Sequence, residues 1–209
     1  MIEMKLMKTT FLKIDNKLQL VYLNFKDGEL RVFFEQTMSK LQWVYNFLFF
    51  PFLFRKAYKN MDEKFYVHMG FHKCYHAVRD ELIQFVKDNF TDIYKIQIYG
   101  ASHGCSAALA FTEDLIFNKL TDAMITCDFG GSPKWMTKKA EKVIRERIAF
   151  KTSTTEWEYG SDIANKVAPF YTQYKTKKHL GQKRKWYKWS IQDHKAICEF
   201  TRSSFYEGN

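Results

Sequence analysis

The sequence predicts an α/β fold, a central sheet with helices packed on its faces. Three observations lead there. Short apolar runs and helix-period segments alternate through the middle of the 209-residue chain, the pattern of strands laid side by side with helices crossing over them. Two strand-like runs near the start are separated by a two-residue turn signal. A strand-to-helix corner carries a serine between two glycines, "YGASHGCSAALAF".

In chain order, "KLQLVYLNF" and "ELRVFFE" read as two strands joined at "KDG", with Asp27-Gly28 as the turn, because both central positions of a tight hairpin need positive φ. "MSKLQWVYNFLFF" reads as a helix capped by Ser39 and stopped by Pro51. "FHKCYHAVRDELIQFVKDN" is the clearest helix, with Phe71, Tyr75, Val78, Leu82, Phe85 and Val86 on a single face. "YKIQIYG" is a short strand, and "GCSAALAFTEDLIFNKL" a helix with Ala107, Ala108, Phe111 and Leu115 on one side. "DAMITCDFG" is a further strand and "KKAEKVIRERI" a further helix. The last third, from Phe150 to Trp189, is strand-rich and irregular and leads into a helix near Asp193. No repeat or Gly/Ser linker divides the chain, so residues 1–209 are expected to form one domain.

Composition narrows the class. The chain is 46% hydrophobic and 18% aromatic, which excludes a disordered protein. Its net charge of +10 favours contact with an anionic membrane surface or nucleic acid. Seven of the Lys and Arg residues fall in residues 175–188, among Trp186, Tyr187 and Trp189. No nucleic-acid motif accompanies them, so nucleic acid is not the expected partner. The bland alternative for that segment is a solvated pair of strands. Cys74, Cys105, Cys127 and Cys198 show no CxxC-like spacing and read as reduced, buried thiols. The N-terminus lacks the apolar core of a secretory signal, and the run "FLFFPFLF" is too short to span a bilayer. A cytoplasmic protein is expected, or one encoded by a virus or phage and kept inside the cell.

The chemistry centres on Ser102. Strand, Gly100-Ala101-Ser102-His103-Gly104, then helix, is a GxSxG motif in its required context. A serine on such a sharp corner exposes its hydroxyl, and the strand and helix then pass so closely that positions two before and two after it must be glycine. The helix N-terminus aims backbone N–H groups at the charge that develops on a tetrahedral intermediate. The alternative is a tight glycine turn whose serine merely caps the helix. A serine nucleophile needs a base, and the base an orienting carboxylate, in the order Ser, Asp or Glu, His on this type of corner. Ser102, Asp162 and His194 satisfy that order; His179 and Asp193 compete on order alone. His68, His72 and His76 share a four-residue spacing that suggests zinc, but His68 precedes the helix and no carboxylate completes a set. No metal and no cofactor are expected.

These residues resemble the class 3 lipase family, which includes the small triacylglycerol lipases of filamentous fungi. "RVFFEQTMSKLQWVYNFLFFP" is similar to the family's strand, F-R-G-[S/T] oxyanion loop and lid helix; "VHMGFHKCYHAVRDEL" to its V-H-x-G-F helix entry; "IQIYGASHGCSAALA" to V-T-G-H-S-L-G-G-A-x-A. "DFGGSPKW" resembles its G-x-P-R loop, "SDIANKVAPF" its N-D-[I/V]-V-P-x-L-P-P, and "HLG" with "DHKAICEF" its H-x-G and D-H-x-x-Y. The resemblance runs from about residue 18 to 200. It implies an α/β-hydrolase-type fold with a mixed, mostly parallel sheet and helices on both faces, and a lipase or esterase activity needing no cofactor.

Carried over by position, it implies Ser102 as nucleophile, Asp162 as orienting acid and His194 as base, with His179 outside the triad. It places the oxyanion hole at the backbone N–H of His103 and at Thr37, the nucleophile elbow between Gly100 and Gly104, and a lid over about Ser39 to Phe47 carrying Trp43. The chain departs from the family pattern at Glu35 for Arg, Gln36 for Gly, Ala101 for His, His103 for Leu, Cys105 for Gly and Ser161 for Asn. The aromatic lid segment has two readings: Trp43, Phe47 and Phe50 as buried core, or as the wall of an acyl groove that opens on lipid. The expected substrate is a lipid or small ester. A phospholipase A-type enzyme on anionic membranes and an inactive hydrolase-fold binding protein are the alternatives.

Overall fold

The computed structural model describes residues 9–48, 50–53, 65–149, 151–158, 178–179 and 191–207. Asp162 and nearly all of the basic 175–188 segment lie outside them.

Three strands open the sheet: β1 (Thr10–Asp15), β2 (Leu20–Lys26) and β3 (Glu29–Phe34). The β2–β3 hairpin turns at Asp27 (φ 53°) and Gly28 (φ 79°), the paired positive φ values of the hairpin turn whose twist suits antiparallel strands. β1 was not foreseen; it pairs antiparallel to β2 at the sheet edge. Parallel strands follow: β6 (Lys95–Ala101), β7 (Met124–Gly130), β8 (Thr152–Glu158) and β9 (Lys178–His179), giving the order β1-β2-β3-β6-β7-β8-β9. Between β3 and β6 lie α1 (Lys40–Asn46), a small antiparallel pair β4 (Pro51–Leu53) and β5 (Tyr66–His68), and α2 (Met69–Asp88). α3 (Gly104–Phe117), α4 (Lys138–Ile148) and α5 (Ile191–Glu207) complete the chain order.

The strand period of two separates the faces. Leu30, Val32 and Phe34 of β3, with Ile96 and Ile98 of β6, pack into a large core with α2, α3 and α4. Their neighbours Phe33, Tyr99 and Ala101 pack on the other face with Cys198 and Phe205 of α5. The sheet is therefore mixed, mostly parallel and covered by helices on both faces, as the sequence predicts. All four cysteines are free and buried. Among the described residues, no helix is long and apolar enough to cross a membrane.

Two readings of helices change. α3 is buried all round from Gly104 to Leu115, not on one side only. Its charges Asp114 and Glu113 are neutralised by neighbouring helices: Arg79 of α2 lies 2.6 Å from Asp114, and Arg147 at the end of α4 lies 2.7 Å from Glu113. Tyr75 also donates to Asp114 at 2.6 Å, so the carboxylate is buried with hydrogen bonds as well as a counter-charge. α1 begins at the Ser39 cap, with Gln42 closing a capping box, but it ends at Asn46, well before Pro51. Trp43 on α1, Phe47 at its C-cap and Phe50 beyond it are 54%, 60% and 69% exposed. The buried-core reading of these aromatics is overturned.

Candidate active site

The C-terminal ends of the parallel strands β3, β6, β7 and β8 share one edge of the sheet, where open α/β sheets bind ligands. Ser102 follows β6 directly, with φ 52°, a left-handed conformation that a residue with a side chain adopts only when its surroundings fix it. Its N–H donates to the Gly130 carbonyl at 2.8 Å. The two glycines answer to contact. A Cβ on Gly100 would sit 2.7 Å from the Cys105 Cα, and one on Gly104 would sit 2.3 Å from the Phe34 carbonyl oxygen. The second contact is with the end of β3, so Gly104 is what lets the loop after β3 lie against the Ser102 corner. Cys105, in place of the family glycine, is accommodated by its thiol facing the Gly100 and Gly130 carbonyls at 3.1 and 3.4 Å.

His194, in the first turn of α5, brings Nε2 to 2.8 Å from Ser102 Oγ. The sequence order left His179 open as well; its backbone lies in β9, and Ser102 and His194 are the pair brought together. Asp162 lies in the segment after β8, outside the described residues. Cys198, one turn after His194, places its sulfur 3.8 Å from Nε2.

The backbone N–H groups of His103 and Thr37, the oxyanion-hole candidates, have no hydrogen-bond partner among the described residues. The His103 N–H lies at the entry to α3, where the helix end adds partial positive charge. The Thr37 loop is held by side chains. Thr37 Oγ1 lies 2.9 Å from His103 Nδ1 and accepts from Asn46 Nδ2 at 2.8 Å. Gln42 accepts from the N–H groups of Met38 and Ser39 at 2.5 and 3.0 Å. Gln19 Nε2 donates to the Glu35 carbonyl at 3.0 Å.

Glu35, the residue that replaces the family arginine, is almost fully buried. One carboxylate oxygen accepts from the Gln36 N–H at 2.9 Å, and the other lies 2.6 Å from Arg202 on α5. The departure is thus met by a partner on the helix that carries His194, and the loop and that helix are tied by charge. Sequence reading alone missed this pair, as it missed the Thr37–His103 contact, because each joins residues far apart in the chain.

A further histidine is structural. His68 caps α2, with Nδ1 accepting from the Phe71 N–H at 3.4 Å and Nε2 donating to the Asn46 carbonyl at 3.2 Å. Burial pushes its pKa down to about 4, that of His103 down to about 4, and that of His72 down to about 3. All three are neutral near pH 7. Among the described residues, no group of three or more His, Cys, Asp or Glu side chains is placed to hold a metal ion.

The class 3 lipase profile matches residues 31–172, about two thirds of the sequence. The chain belongs to the class 3 lipase family. Its fold is similar to that of a fungal lipase in complex with an inhibitor (TM-score 0.66, 18% identity, 79% of this chain and 63% of that one). It is also similar to a triacylglycerol lipase whose catalytic centre is a serine protease triad (0.65, 19%, 84% and 67%). The Rhizomucor miehei lipase in complex with its propeptide gives 0.68 at 17% identity, with 90% and 67% covered. The chain spans about two thirds of the length of these lipases. At these identities the likeness shows a shared fold. No curated protein sequence matches this class 3 lipase-family chain.

Proposed function

We propose that this protein is a serine hydrolase that cleaves carboxylic esters of lipids through an acyl-enzyme. The observation that carries the reading is the 2.8 Å contact between His194 Nε2 and the hydroxyl of a serine held at φ 52° against a helix N-terminus. In the first step His194 Nε2 takes the Ser102 proton as Oγ bonds to the acyl carbon. The oxyanion is met by the N–H groups of His103 and Thr37 and by the Thr37 hydroxyl. Collapse expels the alcohol, which takes the proton from His194. Water then attacks the ester of Ser102 by the same route in reverse roles, releasing the acid and restoring the serine. Asp162 is assigned to orient His194 and to stabilise its charged form.

The exposed Trp43, Phe47 and Phe50 beside the oxyanion loop support a lipid substrate, since an apolar patch flanking a site marks a surface that meets apolar matter. The net charge of +10 favours a second reading, a phospholipase acting on anionic membranes. The test is hydrolysis of p-nitrophenyl butyrate and palmitate, and of phosphatidylglycerol and phosphatidylcholine vesicles, by the parent and Ser102→Ala. The proposal expects turnover in the parent, higher on the longer chain in the presence of an interface, and none in the variant. Preference for phosphatidylglycerol over neutral glyceride would select the second reading. A folded parent inactive on every substrate would make the chain an inactive member acting by binding.

A further inference from the structure

His103 stands where the family pattern has leucine, and its ring has one polar contact among the described residues. Nδ1 lies 2.9 Å from Thr37 Oγ1, while Nε2 is buried with no hydrogen-bond partner among the described residues. Thr37 Oγ1 also receives Asn46 Nδ2 at 2.8 Å, and Asn46 Oδ1 is likewise buried and unpartnered among those residues. The ring is buried and faces Phe71, with centroids 6.4 Å apart.

The proton positions follow from counting. A neutral imidazole carries one N–H, and a hydroxyl offers one proton and two lone pairs. If Nε2 held the proton, an N–H would be buried without an acceptor, the rarest and most costly of orphaned groups. With the proton on Nδ1, the buried ring keeps no N–H without an acceptor, and the two unpartnered atoms, His103 Nε2 and Asn46 Oδ1, are acceptors; the donor left over is the hydroxyl of Thr37, a residue only half-buried. Thr37 Oγ1 then accepts two hydrogen bonds, from His103 and from Asn46. Both lone pairs are used, and its own proton must point elsewhere.

Resting on the ester-hydrolase reading above, we propose that the His103 side chain is a positioning residue: by donating from Nδ1 to Thr37 Oγ1, together with Asn46, it turns the Thr37 hydroxyl proton outward as a preset donor to the oxyanion. His103 thereby has two separate tasks, its backbone N–H at the oxyanion and its ring at Thr37. The wiring joins the elbow, the oxyanion loop and the last residue of α1, so a displacement of α1 that withdrew Asn46 would leave the ring as the remaining donor.

Two kinds of measurement test it, kinetic and spectroscopic. In steady-state kinetics on p-nitrophenyl butyrate, His103→Leu keeps the bulk and the backbone N–H but loses the donor. It lowers kcat roughly 10-fold with KM little changed, less than the ~10²-fold of deleting an oxyanion donor outright. His103→Asn, whose amide nitrogen takes the place of Nδ1, recovers most of that loss. In a Thr37→Val background, His103→Leu costs no further factor beyond about twofold, because coupled residues are not additive. A kcat unchanged or raised in His103→Leu, or a full second loss in the Thr37→Val background, would overturn the proposal. Nitrogen NMR of the imidazoles gives a readout independent of turnover: the His103 signals, assigned by their absence in His103→Asn, show Nδ1 protonated and Nε2 bare. The opposite tautomer sinks the wiring. Inactivity of the parent together with the expected tautomer would instead fault the ester-hydrolase reading alone.

Discussion

The corner that carries Ser102 and the loop facing it are built by different means. Ser102 is fixed by backbone: β6 before it, the buried α3 after it, and two positions where no Cβ fits. The Thr37 loop is fixed by side chains, through Gln19, Gln42, Asn46, His103 and the Glu35–Arg202 pair. Beyond it α1 turns its aromatics to solvent. The first arrangement holds whatever approaches the site. The second rests on a few hydrogen bonds, each worth about 1 kcal/mol net, and is the part of the site that can be remade at small cost. Changes near Ser102 should therefore be nearly all-or-none, and changes in the loop graded.

The sharpest break is His194→Ala. It removes the imidazole 2.8 Å from Ser102 and, on the proposed mechanism, should lower kcat by about 10⁴–10⁶ while the melting temperature shifts little; steady-state assays beside calorimetry check both. Gly104→Ala comes next. Its Cβ would meet the Phe34 and Glu35 carbonyl oxygens at 2.3 and 2.6 Å, and neither backbone group can give way singly. Urea unfolding should show a loss of ~3 kcal/mol or more, with activity falling as the loop is pushed from the elbow.

Acid provides a test that spans both regions. His68, His72 and His103 are buried neutral, with folded pKa values near 4, 3 and 4, below the ~6.5 of the unfolded chain. Between those values the unfolded state binds more protons, so their contribution to stability is present above pH ~6.5 and lost as pH falls. From pH 6.5 to 5.5 the loss is about 1 kcal/mol for each, ~3 together. It continues to about pH 4, where His68 and His103 charge in the folded state as well. Urea midpoints measured across pH 7.5 to 4.5 should fall steeply, and His72→Phe should flatten the slope.

Arg202→Met sharpens the contrast from the loop side. It leaves the buried Glu35 carboxylate without its counter-charge, but Arg202 is itself about a third exposed, so solvent screening reduces the cost to ~1–2 kcal/mol. Glu35→Gln in the same chain should recover part of it. Smallest in stability is Trp43→Lys, within about 0.5 kcal/mol because the side chain is 54% exposed. Its effect should appear only in the ratio of activity on emulsified long-chain ester to soluble short-chain ester, which should drop.

Much of this was legible in the sequence, for reasons local to the chain. Asp27-Gly28 dictates its hairpin, and "KKAEKVIRERI" states α4 from end to end, because turn chemistry and helix period are written in adjacent residues. The GxSxG corner was legible because the spacing of its glycines encodes a steric demand. β1 was missed because an edge strand facing solvent on most of its length carries a weak period. α3 read as one-sided because its carboxylates look like a solvated face until Arg79 and Arg147 arrive from other helices. The Glu35–Arg202 clasp and the Thr37–His103 bond depend on the fold bringing distant residues together, and no local pattern marks them. Trp43 and Phe47 could not be sorted between core and surface from spacing, since an apolar face on a short helix looks the same whether it meets the protein or a lipid.

Activation of Ser102 by His194 is tested by covalent labelling with a fluorophosphonate, read by peptide mass spectrometry, with the labelling rate followed in His194→Ala. One adduct is expected, on Ser102, formed at least ~10²-fold more slowly without His194. No adduct on the folded protein, an adduct elsewhere, or a rate indifferent to His194 would contradict it.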